Sequence, residues 1–344
     1  MFYRNSLVYR EDKLLGRECL IAEGLGEYDL TDTMECGQCF RHLMIAGCYG
    51  RSYTDSKDAP ISRTMELSEA GDGYCEYFTV VGELAVRVGQ RRRGELIFYG
   101  LKSSDIPTVE KYFSLRIDFD AIREYIKDKT DSVTLREYAD IASGVAILSQ
   151  DTWETLFSFI ISQNNNIPRI RKIIRKICLE YGENLAMREG FSACPLSGEC
   201  PNEAECSECG RCYTFPTPEC VLSSPSRLES AKTGFRQRYL MSACELVRSG
   251  ELKLDEIKER CSLDYTLSEL KRVVGVGDKV ASCCALFAFG NYDAFPVDVW
   301  IRRAIDERFS GSLDISEFSE YAGIAQQYIF HSIRNLEKSE ASES

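Results

Sequence analysis

Apolar and polar residues alternate with a period of two in the N-terminal part of the chain. In GELAVRVGQRRRGELIFYG the apolar positions are Leu84, Val86 and Val88 and then, after a basic turn that contains glycine, Leu96 and Phe98. Alternation on both sides of a turn indicates a β-hairpin with one face in the core. We therefore expect antiparallel β-structure over roughly the first hundred residues.

The apolar period becomes helical after Pro107. In DTWETLFSFIISQ, Asp151 and Glu154 have capping-box spacing and apolar residues recur along one face. Further helices are predicted at 118–127, 134–143, 167–181, 235–249, 267–274, 279–289, 299–308 and 322–336. Strands followed by helices indicate an α+β fold. We expect an antiparallel β domain over 1–116, a helical domain over 117–336 and a disordered tail over 337–344.

The net charge of −12 argues against a protein whose whole surface binds nucleic acid. Two stretches nevertheless concentrate positive charge, IPRIRKIIRKICLEYG and AKTGFRQRYL, and each can form a local basic patch. The N-terminus lacks the apolar segment of a signal peptide, and the apolar stretch ASCCALFAF is too short to span a membrane. We expect a cytoplasmic protein whose sixteen cysteines are reduced thiols or metal ligands.

The stretch VVGVGDKVASCC predicts two helices joined by a tight turn that contains Gly275 and Gly277. Glycines allow close approach of another molecule, and free N–H groups at the start of the second helix favour an anion such as a phosphate. This is the pattern of a helix-hairpin-helix, which clamps a DNA backbone, and the alternative is an ordinary αα-hairpin. Lys279 shares a helix face with Cys283. It is either a nucleophilic amine or a lysine whose charge extends past apolar neighbours to water.

Asp298, in AFPVDVWIRRAI, opens a predicted helix nineteen residues after the lysine. Its ordinary role would be an N-cap, and a carboxylate held there can also stabilise a developing cation. The turn, the lysine and the aspartate together resemble the helix-hairpin-helix, Gly/Pro-Asp superfamily of DNA base-excision glycosylases. The resemblance implies that Lys279 attacks the sugar C1′ and that Asp298 is its electrostatic partner.

Other stretches resemble 8-oxoguanine DNA glycosylases in the same order along roughly residues 20–336: DLTDTMECGQCFRH, FIISQNNNIPRI, TGFRQRYL and YAGIAQQYIFHSIR. The resemblance implies removal of 8-oxoguanine opposite cytosine from double-stranded DNA and cleavage of the abasic site by β-elimination, with no cofactor needed for catalysis. We expect a monomer that binds no membrane, from a bacterium. The alternatives are a glycosylase for another damaged base and a non-catalytic DNA- or metal-binding protein.

The resemblance also assigns residues to the recognition of the flipped base. The base is held between Phe330 and Cys283, with Gln326 at its hydrogen-bonding edge. Gly37 supplies a backbone carbonyl that accepts the N7 hydrogen present in 8-oxoguanine and absent from guanine.

A second set of residues is assigned to the opposite strand. Asn164 fills the space left by the flipped base, and Arg169 and Arg236 read the cytosine. Phe235 stands where a tyrosine wedge is expected, and Trp300 where animal members usually have histidine. Taken singly, Asn164, the two arginines and Phe235 are more typical of an Asn-rich helix end, a solvated arginine face and a core aromatic. Their joint order along the chain favours the DNA contacts.

The stretch CPLSGECPNEAECSECGRC is a cysteine-rich insertion at 194–212. Its C-x2-C-x2-C spacing is typical of metal ligands. We favour a structural zinc over an iron–sulfur cluster or a metal-free loop. The predicted ligands are Cys200, Cys206, Cys209 and Cys212, with Cys194 as a further candidate.

Overall fold

A six-stranded antiparallel sheet forms the N-terminal part of the structure, a computed structural model that describes residues 1–46, 73–185 and 210–343. The strand order is β1-β2-β6-β5-β4-β3. The strands are β1 Val8–Leu14, β2 Arg17–Glu23, β3 Leu43–Ala46, β4 Cys75–Val81, β5 Leu84–Gln90 and β6 Glu95–Tyr99. The predicted hairpin is confirmed, because β5 and β6 pair antiparallel with Val88 opposite Phe98.

Fourteen α-helices are present in the described part of the chain, and most follow the sheet. The first eight are α1 Leu30–Glu35, α2 Ile106–Tyr112, α3 Phe119–Lys129, α4 Val133–Ile141, α5 Thr152–Ser162, α6 Ile167–Tyr181, α7 Pro218–Ser223 and α8 Arg227–Ser230. The others are α9 Gln237–Arg248, α10 Leu254–Arg260, α11 Leu263–Leu270, α12 Asp278–Cys284, α13 Val299–Arg308 and α14 Ala322–Glu343. The α+β fold class is therefore confirmed. None of these described helices has the length and apolar content to cross a lipid bilayer.

Helix α5 lies at the centre of the helical part. Asp151 caps it, since its carboxylate accepts a hydrogen bond from the Glu154 N–H at 2.8 Å, as the sequence predicts. One buried cluster combines sheet residues such as Phe98 with Leu156 of α5 and Ile329 of α14. The sheet and the helices therefore share a hydrophobic core across residue 116.

Two helix predictions and the prediction of a disordered tail need correction. The helix predicted at 267–274 is α11, which ends at Leu270, because the glycine-containing turn begins sooner. The helix predicted at 279–289 is divided into α12 and a π-helical turn over Ala285–Phe289. The tail predicted to be disordered continues α14 to Glu343, since it contains helix-favouring residues and neither glycine nor proline.

Candidate active site

The glycine-containing turn joins α11 to α12 and lies against α9. Gly275 has φ +83°, and a Cβ atom there would lie 2.5 Å from the Tyr239 ring. Only glycine fits this position, for both conformational and steric reasons. Gly277 is the N-cap of α12, and a Cβ atom there would have no neighbour within 4 Å. The turn is thus fixed by packing at Gly275 and open to solvent at Gly277.

Lys279 lies in the first turn of α12 and is half-buried. Its Nζ is 5.4 Å from the centre of the Phe159 ring. Phe159 in turn stacks on Phe287 at 5.7 Å and meets Phe40 edge-on at 5.4 Å. The amine is therefore held against an aromatic wall formed by α5, the π-helical turn and the loop after α1.

The charges of Lys279 and Asp298 both act on the buried thiol of Cys283. Burial raises the pKa of the Cys283 thiol to about 11, and the two charges act on it in opposite directions, Lys279 lowering the pKa and Asp298 raising it. Asp298 is also the N-cap of α13, since its Oδ1 accepts a hydrogen bond from the Ile301 N–H at 2.9 Å. The ordinary cap role is therefore confirmed, and it fixes the carboxylate at the start of α13.

Gly37 faces Phe330, as their predicted roles require. Gly37 has φ +82°, and a Cβ atom there would lie 3.2 Å from Phe330 Cε1. Phe330 is half-buried on α14, with the Arg334 guanidinium 5.3 Å from its ring centre. Gln326, one turn earlier, is 3% exposed, and its Oε1 accepts a hydrogen bond from Gln327 Nε2 at 2.9 Å.

The loop that carries Gly37 is anchored by Gln38, which sequence reasoning missed. The Gln38 amide donates to the Ala146 carbonyl at 2.8 Å and accepts from the Leu148 N–H at 2.8 Å. Gln150 donates to the Gln38 carbonyl at 2.7 Å, and its own N–H donates to the Phe287 carbonyl at 3.0 Å. These bonds fix the position of Gly37 relative to the element that follows the lysine helix.

The residues predicted to contact the opposite strand also come together. Asn164 is exposed and has φ +47°. Phe235 is 50% exposed, and the Arg236 guanidinium lies 4.5 Å from its ring centre. Arg236 itself is 3% exposed, and it donates to the Gln163 carbonyl at 2.8 Å and to the Asn164 carbonyl at 3.0 Å. Burial and the nearby charge of Arg169 lower the pKa of Arg236. Here Arg236 supports the Asn164 turn, while Arg169 is exposed.

The sequence of the chain is similar to those of known DNA glycosylases. The family model for the 8-oxoguanine DNA glycosylase N-terminal domain matches residues 21–156. The N-glycosylase/DNA lyase of Saccharomyces cerevisiae is 26% identical over 318 residues, covering 87% of this chain and 73% of the relative. A probable N-glycosylase/DNA lyase of Methanothermobacter thermautotrophicus is 28% identical over 240 residues, covering 66% of this chain and 74% of the relative.

The fold of the whole chain matches solved structures as well. The 8-oxoguanine glycosylase/lyase of Clostridium acetobutylicum, in complex with double-stranded DNA containing cytosine opposite 8-oxoG, superposes with a TM-score of 0.72. It is 26% identical, and the match covers 96% of this chain and 98% of that one. These sequence and structure matches support an 8-oxoguanine glycosylase of the N-glycosylase/DNA lyase type.

Two aromatic residues depart from the pattern expected of an 8-oxoguanine DNA glycosylase. Trp300 is half-buried in the first turn of α13, and the Arg303 guanidinium lies 5.5 Å from its ring. It packs against the main hydrophobic core, two residues after Asp298 in the sequence. Phe235 keeps the exposed ring of the predicted wedge without the hydroxyl of tyrosine.

Most of the cysteine-rich insertion predicted at 194–212 lies outside the described residues. Cys194, Cys200, Cys206 and Cys209 lie outside the described residues. Cys212 is described and is 2% exposed in a small cluster with Leu43, Ile45 and Phe78. Within the described ranges no group of three or more histidine, cysteine or acidic side chains has the geometry of a metal site.

Proposed function

We propose that this chain is a DNA repair enzyme that excises 8-oxoguanine opposite cytosine from double-stranded DNA and then cleaves the abasic site, acting as a monomer. The proposal is supported by the match to the 8-oxoguanine DNA glycosylase N-terminal domain and by the names of the relatives, which are N-glycosylase/DNA lyases. The observation that carries it is that the charges of Lys279 and Asp298 both act on the buried Cys283 thiol, with the Lys279 Nζ held 5.4 Å from the centre of the Phe159 ring.

The proposed reaction starts with the flipped nucleotide beside α12. The Lys279 Nζ attacks the sugar C1′, the glycosidic bond breaks, and its electron pair leaves with the base. The Asp298 carboxylate stabilises the positive charge that develops on the sugar. Loss of a proton and ring opening give an imine between Nζ and C1′. Removal of a C2′ proton then expels the 3′-phosphate by β-elimination and nicks the strand.

Base recognition follows from the position of Gly37 opposite Phe330. In the proposal the damaged base stacks between the Phe330 ring and the Cys283 sulfur, and its edge meets Gln326. A pKa of about 11 keeps Cys283 as a neutral thiol at pH 7, which is the form that tolerates contact with an aromatic ring. The Gly37 carbonyl accepts the N7 hydrogen, and this bond excludes guanine, which would present a second acceptor there.

The opposite strand is assigned to the surface around Asn164. Phe235, the exposed ring at this surface, enters the stack where the damaged base has left. Asn164 occupies the vacated space, and Arg169 and Arg236 contact the cytosine. To reach the cytosine, Arg236 releases the Gln163 and Asn164 carbonyls and donates its hydrogen bonds to the edge of the base instead.

Borohydride trapping tests the proposal directly. The native protein and Lys279→Gln are each incubated with a duplex that holds one 8-oxoguanine opposite cytosine, and the imine is reduced to a stable adduct. We expect an adduct with the native protein and none with the variant. A native protein that binds the duplex without forming an adduct would refute the lysine mechanism. A panel of other damaged bases then separates this substrate from the alternatives.

We also propose that the cysteine-rich insertion holds a structural zinc ion. The C-x2-C-x2-C run supports this, because thiolates at this spacing favour zinc. The catalytic proposal needs no metal or cofactor, so the zinc would stabilise the insertion only.

A further inference from the structure

A groove of about 540 Å³ lies between one face of α6 and the segment that follows α8. Its walls are aliphatic, with Ile173, Leu179 and Ala231 between the cations. No acidic residue belongs to the lining among the described residues, and five cations do. The cations are Arg169, Lys172, Arg175, Lys176 and Lys232.

The charge of this cationic groove is accessible to a ligand. Lys172 and Lys232 are exposed, and the Lys176 side chain is 42% exposed. Lys176 pairs with Glu180 at 2.8 Å, one turn further along α6, where an acid marks the far end of the groove. A dense row of cations on an otherwise acidic protein favours a polyanion with regularly spaced charges.

The cationic groove is continuous with the surface assigned to the opposite strand. Arg169 lines its near end, and the charge of Arg169 acts on Arg236. The eight residues from Arg169 to Lys176 span about 10 Å of helix. Because one DNA strand advances about 3.4 Å per phosphate, this length matches about three successive phosphates.

We infer that the cationic groove binds the sugar–phosphate backbone of the strand opposite the damaged base, beyond the base that Arg169 contacts. The inference rests on the proposed function for the choice of strand, since that function places Arg169 at the opposite base. The competing occupant is an acidic protein segment. Continuity with Arg169 favours DNA.

The first test compares the salt dependence of binding to an undamaged duplex for two triple variants. Lys172→Gln/Lys176→Gln/Lys232→Gln removes the groove lysines, and the matched control Lys102→Gln/Lys129→Gln/Lys253→Gln removes the same charge from exposed sites elsewhere. Thermal unfolding checks that both are folded.

Each lost phosphate contact makes the slope of log K against log salt less negative by about 0.9. We expect a change of about 2 to 3 for the groove variant and of less than about 1 for the control. Equal slopes for the two variants overturn the inference. Polyglutamate serves as a probe for the competing occupant, an acidic protein segment. If the groove variant stops binding polyglutamate while its slope of log K against log salt on DNA is unchanged, the inference is also overturned and the acidic segment is the occupant.

The second test fixes the strand. In a Lys279→Gln background, binding is measured on lesion duplexes in which either strand is truncated on one side of the lesion pair. We expect that truncation of the opposite strand on one side of the lesion pair will abolish the difference in affinity between the protein with native groove lysines and the protein with the three glutamines. If only truncation of the damaged strand does so, the strand assignment is wrong. Since the salt test needs neither a lesion nor Lys279, failure of borohydride trapping would leave its result standing.

Discussion

Replacing Gly37 with alanine tests the geometry of base recognition. The left-handed backbone at φ +82° costs a residue with a Cβ atom about 1–2 kcal/mol. The new methyl group would also lie 3.2 Å from Phe330 Cε1, so the ring or the loop must move by a few tenths of an ångström. Either movement weakens the stacking on Phe330 or the hydrogen bond from the base to the Gly37 carbonyl.

The expected loss follows from the hydrogen bond and the stacking. A displaced carbonyl leaves a buried donor on the base unpaired, at about 1–3 kcal/mol. Since 1.4 kcal/mol is a tenfold change in rate, single-turnover excision of 8-oxoguanine should fall about 10- to 100-fold. Gly16→Ala is the matched control, with φ +72° and no neighbour within 4 Å. It should lose comparable stability and keep its activity. Native excision rates in Gly37→Ala, with an unchanged preference for 8-oxoguanine over guanine, would refute the reasoning.

Three further predictions concern the carboxylates and the insertion. Asp298→Asn keeps an equally good N-cap, so the thermal stability should change little. Single-turnover excision should fall about 100-fold, or roughly 2.7 kcal/mol, because the carboxylate charge is lost. A loss of thermal stability that parallels the loss of excision would mean that Asp298 acts as a cap alone. Although burial opposes it, contact with His42 and Arg171 lowers the pKa of Glu35 from 4.5 to about 2, so its ionised form stabilises the fold by about 3 kcal/mol. The contribution is present above about pH 4.5 and is lost as the pH falls towards 2, so the difference in unfolding free energy between native protein and Glu35→Gln should shrink over that range; a constant difference in urea titrations contradicts it. Elemental analysis should find one zinc ion per chain in the native protein and none in the Cys206→Ser/Cys209→Ser variant. If that variant still binds one zinc ion per chain, this ligand set is excluded.

The sequence predicts the longer elements of this fold well. The hairpin of β5 and β6 and the capped helix α5 follow from periodicity and spacing alone. The helices that were not predicted, α1, α2, α7, α8 and α10, have seven residues or fewer. A helical period needs about two turns of 3.6 residues before it stands out from a loop, so helices this short leave little signal.

The residues of the site likewise differ in how much local sequence signal they carry. Lys279 and Asp298 are recognisable because a local turn and a local cap surround them. The role of Gln38 is not, since its partner Ala146 is 108 residues away and contributes only a carbonyl. Likewise nothing near Arg236 in the sequence indicates that its guanidinium binds the carbonyl of Gln163, 73 residues earlier. Backbone acceptors carry no sequence signature, so such anchors become visible only in the fold.

A buried ion pair links the two parts of the proposed site, the segment around Gly37 and helix α6. Glu35, two residues before Gly37, forms an ion pair with Arg171, two residues after Arg169, at 3.1 Å. His42 joins the same buried cluster, with its Nε2 3.1 Å from the other Glu35 oxygen. The segment around Gly37, proposed to recognise the damaged base, is therefore bonded directly to α6, which is proposed to face the opposite strand. Because this link exists before DNA arrives, little ordering cost remains when both bases are engaged. In the proposed function, the spacing between the two recognition surfaces is thus set by the protein before DNA binds.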